Sequence, residues 1–191
     1  IDWGSPVNYR QGIDGDMEQL IADMEAGTVG TLMILGANPA YTWYNADRFK
    51  SALKKVKVSV SFNEKMDETT ELCEYVIPNH HYLESWGDAE ICSGCTSFIQ
   101  PTIYPLFKTR PYQTSLLKWG GNNGDYEAYF KEYWTGKLGS EEAYYKALQD
   151  GIREEAPPTV SAGTYNSAGE ATAASAISAY KKGTGGELVM Y

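Results

Sequence analysis

The sequence is short of cationic charge, of cysteine and histidine, and of long apolar runs. Its 191 residues carry 16 Lys and Arg against 25 Asp and Glu, a formal net charge of −9. A surface so poor in cations cannot neutralise a phosphate backbone, which excludes a nucleic-acid binder. No apolar run approaches the roughly 18 residues that a membrane-spanning helix needs. The 3 cysteines are too few for a disulfide scaffold or for a four-cysteine iron–sulfur cluster. Only 2 histidines are present, and they are adjacent. No internal repeat occurs.

What is there is globular. Hydrophobic residues make up 42% and charged residues 21%, unlike a disordered chain. Aromatics at 13% suit large buried contacts within the fold or against partners. The length gives room for one domain with a real core, plus a tail. The chain opens at Ile1-Asp2-Trp3 and stops at Leu188-Val189-Met190-Tyr191, a run that reads like the start of a strand. A piece of a longer polypeptide is therefore expected, with any targeting signal outside it.

Periodicity predicts alternating strands and helices. Met17, Leu20, Ile21 and Met24 form one stripe of a helix over 16–26, with Asp16 as cap and Gly27 as terminator. Thr31 to Leu35 is wholly apolar after its first residue and reads as a strand buried on both faces. Ala46, Phe49, Leu53 and Val56 give a second helical stripe, and Val56, Val58, Val60 and Phe62 then alternate with polar residues as a strand. A short helix capped by Asp67 and a brief strand over Tyr75-Val76-Ile77 follow. This order predicts an α/β fold, three-layered around a mostly parallel, Rossmann-like sheet. Residues 78–111 read as an irregular arm, and 125–134 and 141–152 as two appended helices, the second capped by Ser140. The expected divisions are 1–115 for the α/β domain, 116–156 for the appended helices and 157–191 for an Ala/Ser/Gly-rich extension, with a helix over Ala171–Tyr180.

Three places offer chemistry. Gly36-Ala37-Asn38-Pro39 follows the first strand, where open α/β sheets bind ligands; glycine admits a ligand close to the backbone and Asn both donates and accepts. The same four residues also serve as a plain turn. Cys92-Ser93-Gly94-Cys95 reads as a redox dithiol, half a metal site, a local disulfide or two free structural thiols. A metal would need further ligands from Cys73, His80 and His81, and adjacent histidines on an extended segment face opposite ways. His80 or His81 with Glu84 or Asp88 could form an acid–base pair, but no nucleophile sits in a recognisable elbow. Packing and hydrogen bonding are the simpler roles.

Taken together, Leu32 to Pro105 resembles one region of the molybdopterin oxidoreductase superfamily. The pieces are Gly36-Ala37-Asn38-Pro39, then Phe62-Asn63, Asp67-Glu68-Thr69-Thr70, Cys73-Glu74-Tyr75-Val76-Ile77-Pro78, Glu84 and Gly87, in order and without a gap from Asn63 onward. Within the superfamily, Pro6 to Gly12, Gly36 to Tyr41, His81 to Asp88 and Gln100-Pro101 resemble the B-subunit family of alternative complex III, a membrane-bound quinol-oxidising complex.

The resemblance implies a role in a respiratory electron-transfer complex, with no catalysis in this part of the chain. It implies a vestigial pterin-nucleotide loop of Gly36, Asn38, Pro39, Asn63, Glu68 and Thr69, with no catalytic residue and no metal ligand. Asp88 to Ile99 contains no Arg, the bidentate donor suited to pterin and phosphate groups. No cofactor is therefore expected here, with iron–sulfur clusters in a separate domain. The implied partners are a multihaem cytochrome c and quinol-binding membrane subunits, on the periplasmic side of the bacterial inner membrane. In one alternative the chain belongs to a bis-molybdopterin reductase of the polysulfide or thiosulfate type, and Gly36, Asn38, Asn63, Glu68 and Thr69 line the cofactor's nucleotide end. In another it is a stand-alone small-molecule binding module.

Overall fold

The computed structural model describes residues 6–9, 12–156 and 167–179. They belong to two units, one reaching residue 156 and the other holding 167–179. The second contains helix α7, Ala168–Ala179, whose Ala- and Ser-rich sequence has Ile177 as its one large apolar side chain. It starts a little before the expected Ala171; Tyr180 and the run at Leu188 lie outside the described residues.

The larger unit holds two three-stranded sheets. The first is parallel, in the order β1 (Thr31–Ile34), β2 (Val58–Ser61), β3 (Tyr75–Val76). Helix α1 (Asp14–Glu25) precedes it, and α2 (Pro39–Thr42) and α3 (Ala46–Leu53) connect β1 to β2. Ile21 and Met24 of α1, Ile34 of β1, and Phe49, Ala52 and Leu53 of α3 form one buried cluster. The stripes visible in the sequence are thus the faces that meet, and their burial outside water is the main stabilising term.

Three local details differ from expectation. Asp16 lies inside the first turn of α1, because Ile13 takes the cap position, where its charge still favours the helix N-terminus. Gly27 does end the helix, at φ +72°. Strand β1 is buried on one face only: Ile34 is 6% exposed while Met33 is 47%. The polar face of β2 does not meet water, for Ser59 and Ser61 are buried and hydrogen-bonded. A third layer appears beyond the sheet, where Phe62 packs on Tyr112 and Trp119 of helix α4 (Tyr112–Trp119), with ring centroids 6.0 and 5.9 Å away.

The stretch expected to be irregular folds into a second, antiparallel sheet. Strands β4 (Gly87–Cys92) and β5 (Cys95–Ile99) form a hairpin, and β6 (Ile152–Glu154) pairs with β5. Helices α5 (Tyr126–Leu138) and α6 (Glu141–Asp150) are capped by Asp125 and, as expected, Ser140. Phe98, Phe130, Trp134, Tyr144 and Leu148 bury against one another between hairpin and helices. Trp134 is 2% exposed, and its indole N–H donates to the Asp88 carboxylate at 2.8 Å. The polar tip of a buried indole is thereby satisfied.

Candidate functional site

The site is built on the carboxyl ends of β1 and β2. In a parallel sheet the loops leaving neighbouring strands emerge side by side, which brings residues 36–40 to residues 63–70. Gly36 follows Ile34 by two positions at φ +62°, a conformation that costs a side chain but not glycine. Its N–H donates to Asn63 Oδ1 at 2.8 Å. The buried Asn63 amide nitrogen donates to Ala37 O at 2.9 Å, Asp67 Oδ2 at 3.0 Å and Thr70 Oγ1 at 3.2 Å. Ser61, on the inward face of β2, hydrogen-bonds Thr70 Oγ1 at 2.8 Å and accepts from Asn63 N–H.

A second set of bonds ties the next turn. Asn38 Oδ1 accepts from Thr69 N–H and from Thr69 Oγ1, the latter at 2.7 Å, and Asn38 Nδ2 donates to Glu68 at 2.7 Å. Thr69 Oγ1 accepts in turn from Ala40 N–H. Asp67 caps the short turn Thr70–Leu72 by accepting from the N–H groups of Thr69 and Thr70. The Asn38 amide, helped by a backbone N–H, holds the Glu68 carboxyl below its usual range.

Of the six residues singled out from the sequence, Gly36, Asn38 and Asn63 line an open cleft of about 430 Å³. Glu68 and Thr69 hold Asn38 from the far loop. Pro39 is the first residue of α2, where its fixed φ suits a helix start and its missing N–H is not needed. Sequence reasoning missed Ser61 and Thr70 as members of the network. A polar residue on the inward face of an alternating strand, and a second threonine after a capping Asp, are the signals that could have found them.

The donor set decides what the cleft can take. A pterin nucleotide brings a pyrophosphate, which calls for cations and free N–H donors. Here Lys65 lines the cleft with the carboxylates of Glu64 and Asp67; the side-chain amides of Asn38 and Asn63 are engaged within the protein, and Asn79 Oδ1 accepts from Tyr112 N–H. Carboxylates thus outnumber cations in the cleft lining, the reverse of what a pyrophosphate calls for.

The histidines serve the loops. His80 is 9% exposed; its Nδ1 shares a hydrogen bond of 2.6 Å with Thr109 and stands 3.9 Å from Glu84. Burial pushes the His80 imidazole below its ordinary value, against the pull of Glu84. Glu84 accepts from Leu106 N–H at 2.9 Å and His81 N–H at 3.1 Å, and chiefly the first of these holds its carboxyl low. His81 caps the turn Tyr82–Glu84 through its ring nitrogen. His80, Glu84, Trp86, Tyr104 and Tyr126 edge a wide hollow of about 700 Å³. Its one serine, Ser85, donates to the His81 carbonyl. Cys92 and Cys95 face each other across the hairpin, and Cys73 donates to Thr69 O. Among the described residues no three His, Cys, Asp or Glu side chains converge as a metal site. No helix among them is long and apolar enough to cross a membrane.

No family model matches the chain. Its fold is similar to that of acetylene hydratase from Pelobacter acetylenicus, with TM-score 0.57, 15% identity, and coverage of 73% of this chain and 20% of that one. At that identity the likeness concerns the fold alone. Among curated proteins, the chain is 34% identical over 108 residues to the menaquinone reductase, molybdopterin-binding-like subunit of Nitratidesulfovibrio vulgaris (strain Hildenborough), covering 54% of this chain and only 16% of that relative. Over about half its length, then, this α/β chain is similar to part of a molybdopterin-binding-like subunit of a quinone reductase.

Proposed function

We propose that the chain is a structural, cofactor-free part of a molybdopterin-like subunit in a quinone-reactive respiratory electron-transfer complex. The observation that carries this reading is the closed network joining Gly36, Asn38, Asn63 and Thr69. Side chains positioned where a cofactor loop would present them instead bind one another and fix two loops. The curated relative supports the setting, since its name gives a molybdopterin-binding-like subunit of a menaquinone reductase. In the finer form of the proposal the complex is of the alternative complex III type and the chain belongs to its B subunit. Iron–sulfur clusters then lie in another domain, and a multihaem cytochrome c and quinol-binding membrane subunits are the neighbours. The assembly is membrane-associated on the periplasmic side.

Apolar side chains left on the parallel sheet and the arm support a role inside a larger body. Met33, Leu35 and Tyr75 are 47%, 43% and 51% exposed, and Leu106 and Phe107 exceed 70%. Such surface is ordinarily covered by other protein. The test is molybdenum, iron and pterin analysis of the full-length protein purified in its native complex. Iron without molybdenum or pterin is the expected result. Stoichiometric molybdenum with released pterin would overturn it and make the loop part of a working reductase.

A further inference from the structure

The tip of the β4–β5 hairpin carries a pair of thiols in an arrangement that the electron-transfer reading does not use. Cys92 and Cys95 are paired residues in the antiparallel register, with only Ser93 and Gly94 between them. Directly opposed residues of an antiparallel pair have Cα atoms about 4.5–5.5 Å apart. Disulfides span Cα separations of roughly 4.4–6.8 Å, so the register alone brings the two residues within range. Gly94 closes the turn at φ +81°.

The tip is held on both sides, so the pairing is not left to a fraying end. On one side Val7 bridges Cys92, Asn8 N–H donates to Ile91 O at 2.7 Å, and Ser93 N–H donates to Pro6 O at 3.0 Å. On the other, Cys95 pairs with Glu154 of β6, and Glu155 N–H donates to Gly94 O. Within the turn, Gly94 N–H donates to Glu90 at 2.9 Å. Both cysteines keep part of their surface open to solvent.

We propose that Cys92 and Cys95 are a disulfide-forming pair that closes a ring across the hairpin tip by exchange with an external disulfide. One cysteine thiolate attacks a sulfur of the external disulfide RSSR, whose S–S bond breaks and releases RS⁻. The second thiolate then attacks the protein sulfur of that mixed disulfide; the Sγ–Sγ bond forms and a second RS⁻ leaves. The two protein thiols are oxidised, RSSR is reduced to two thiols, and the two protons lost by the cysteines end on them. The ring staples the strand that Asp88 anchors to Trp134. It stands independently of the function proposed above.

The test uses the full-length protein, first reduced and freed of reductant, then exposed to oxidised glutathione and alkylated with iodoacetamide under denaturing conditions. Cleavage after Glu90 and Lys108 isolates Ile91–Lys108, which holds both cysteines and separates them from Cys73. The expected product is this peptide without alkyl groups, two hydrogens lighter than the dithiol, and doubly alkylated once reduced. The Cys73→Ser variant should close the same ring. Recovery of both cysteines alkylated, a persistent glutathione adduct on either, or a link to Cys73 would overturn the proposal.

Discussion

The two sheets have three strands each, yet different forces hold them in place. The parallel sheet rests on an aliphatic cluster from α1 and α3, and its loops are tied by hydrogen bonds among Asn, Asp, Ser and Thr side chains. Among the described residues the antiparallel sheet has no comparable polar lattice. It rests on the rings of Phe98, Phe130, Trp134 and Tyr144, with Phe98 edge-on to Trp134 at 4.7 Å. Apolar packing fixes where elements sit, whereas a directional bond fixes the shape of a loop. The first region therefore holds a specified geometry at its strand ends, and the second acts as a hydrophobic clamp on a hairpin.

The sharpest way to break that comparison is a charge in the first core. Ile34→Asp places a carboxylate among Ile21, Phe49 and Leu53 without a partner, and should abolish cooperative folding. Met33→Asp, one residue away on the open face, should cost about 1 kcal/mol, mainly in strand preference. Urea unfolding of the two variants checks it; equal losses would mean that both faces of β1 are buried.

In the second region, Trp134→Ala removes the central ring and the donor to Asp88. A loss of about 3–5 kcal/mol is expected, read from thermal unfolding in the near-ultraviolet. A loss below about 1 kcal/mol would show that the clamp is redundant.

Asn63→Ala tests the polar side of the comparison. It leaves Gly36 N–H and Ala37 O without their partner and should cost about 1–3 kcal/mol. Asn63→Asp retains the acceptor but sets a second carboxylate against Asp67, now 3.0 Å from the amide nitrogen. That variant should be less stable near neutral pH and recover as the medium is acidified.

The smallest expected effect concerns the arm between the regions. His80 and Glu84 both titrate lower in the folded chain than in the unfolded one. The unfolded chain therefore takes up protons first, and stability falls with acidification. The His80 contribution begins to fade below about pH 6.5 and that of Glu84 below about pH 4.3. Both are fully present at higher pH. Urea midpoints across this range, for the native chain and for His80→Gln and Glu84→Gln, should show each substitution flattening its own part of the slope.

The comparison also explains which parts could be read in advance. Helices α1 and α3 and strand β2 carry an apolar periodicity that survives in one dimension, and Asp67 and Ser140 cap the turns their positions suggest. Helix α4 was hidden because its buried residues are Thr114 and Ser115, which leave no apolar stripe. The hairpin was hidden because Gly87, Asp88 and Glu90 are poor strand formers, and β6, the strand that completes its sheet, lies more than fifty residues downstream. In the site, order and spacing singled out Gly36, Asn38 and Asn63. They could not reveal that Asn63 binds back across 27 residues to Gly36.

The sequence by itself determined the helix faces, the Ser140 cap and the α/β character, because these depend on neighbours within a few positions. Only the tertiary structure decided that the amides of Asn38 and Asn63 face inward to the protein, that Ser59 and Ser61 are core residues, and that Cys92 meets Cys95. Each of these depends on pairing between strands or loops, and a polar side chain looks the same in sequence whether its partner is water or a residue thirty positions away.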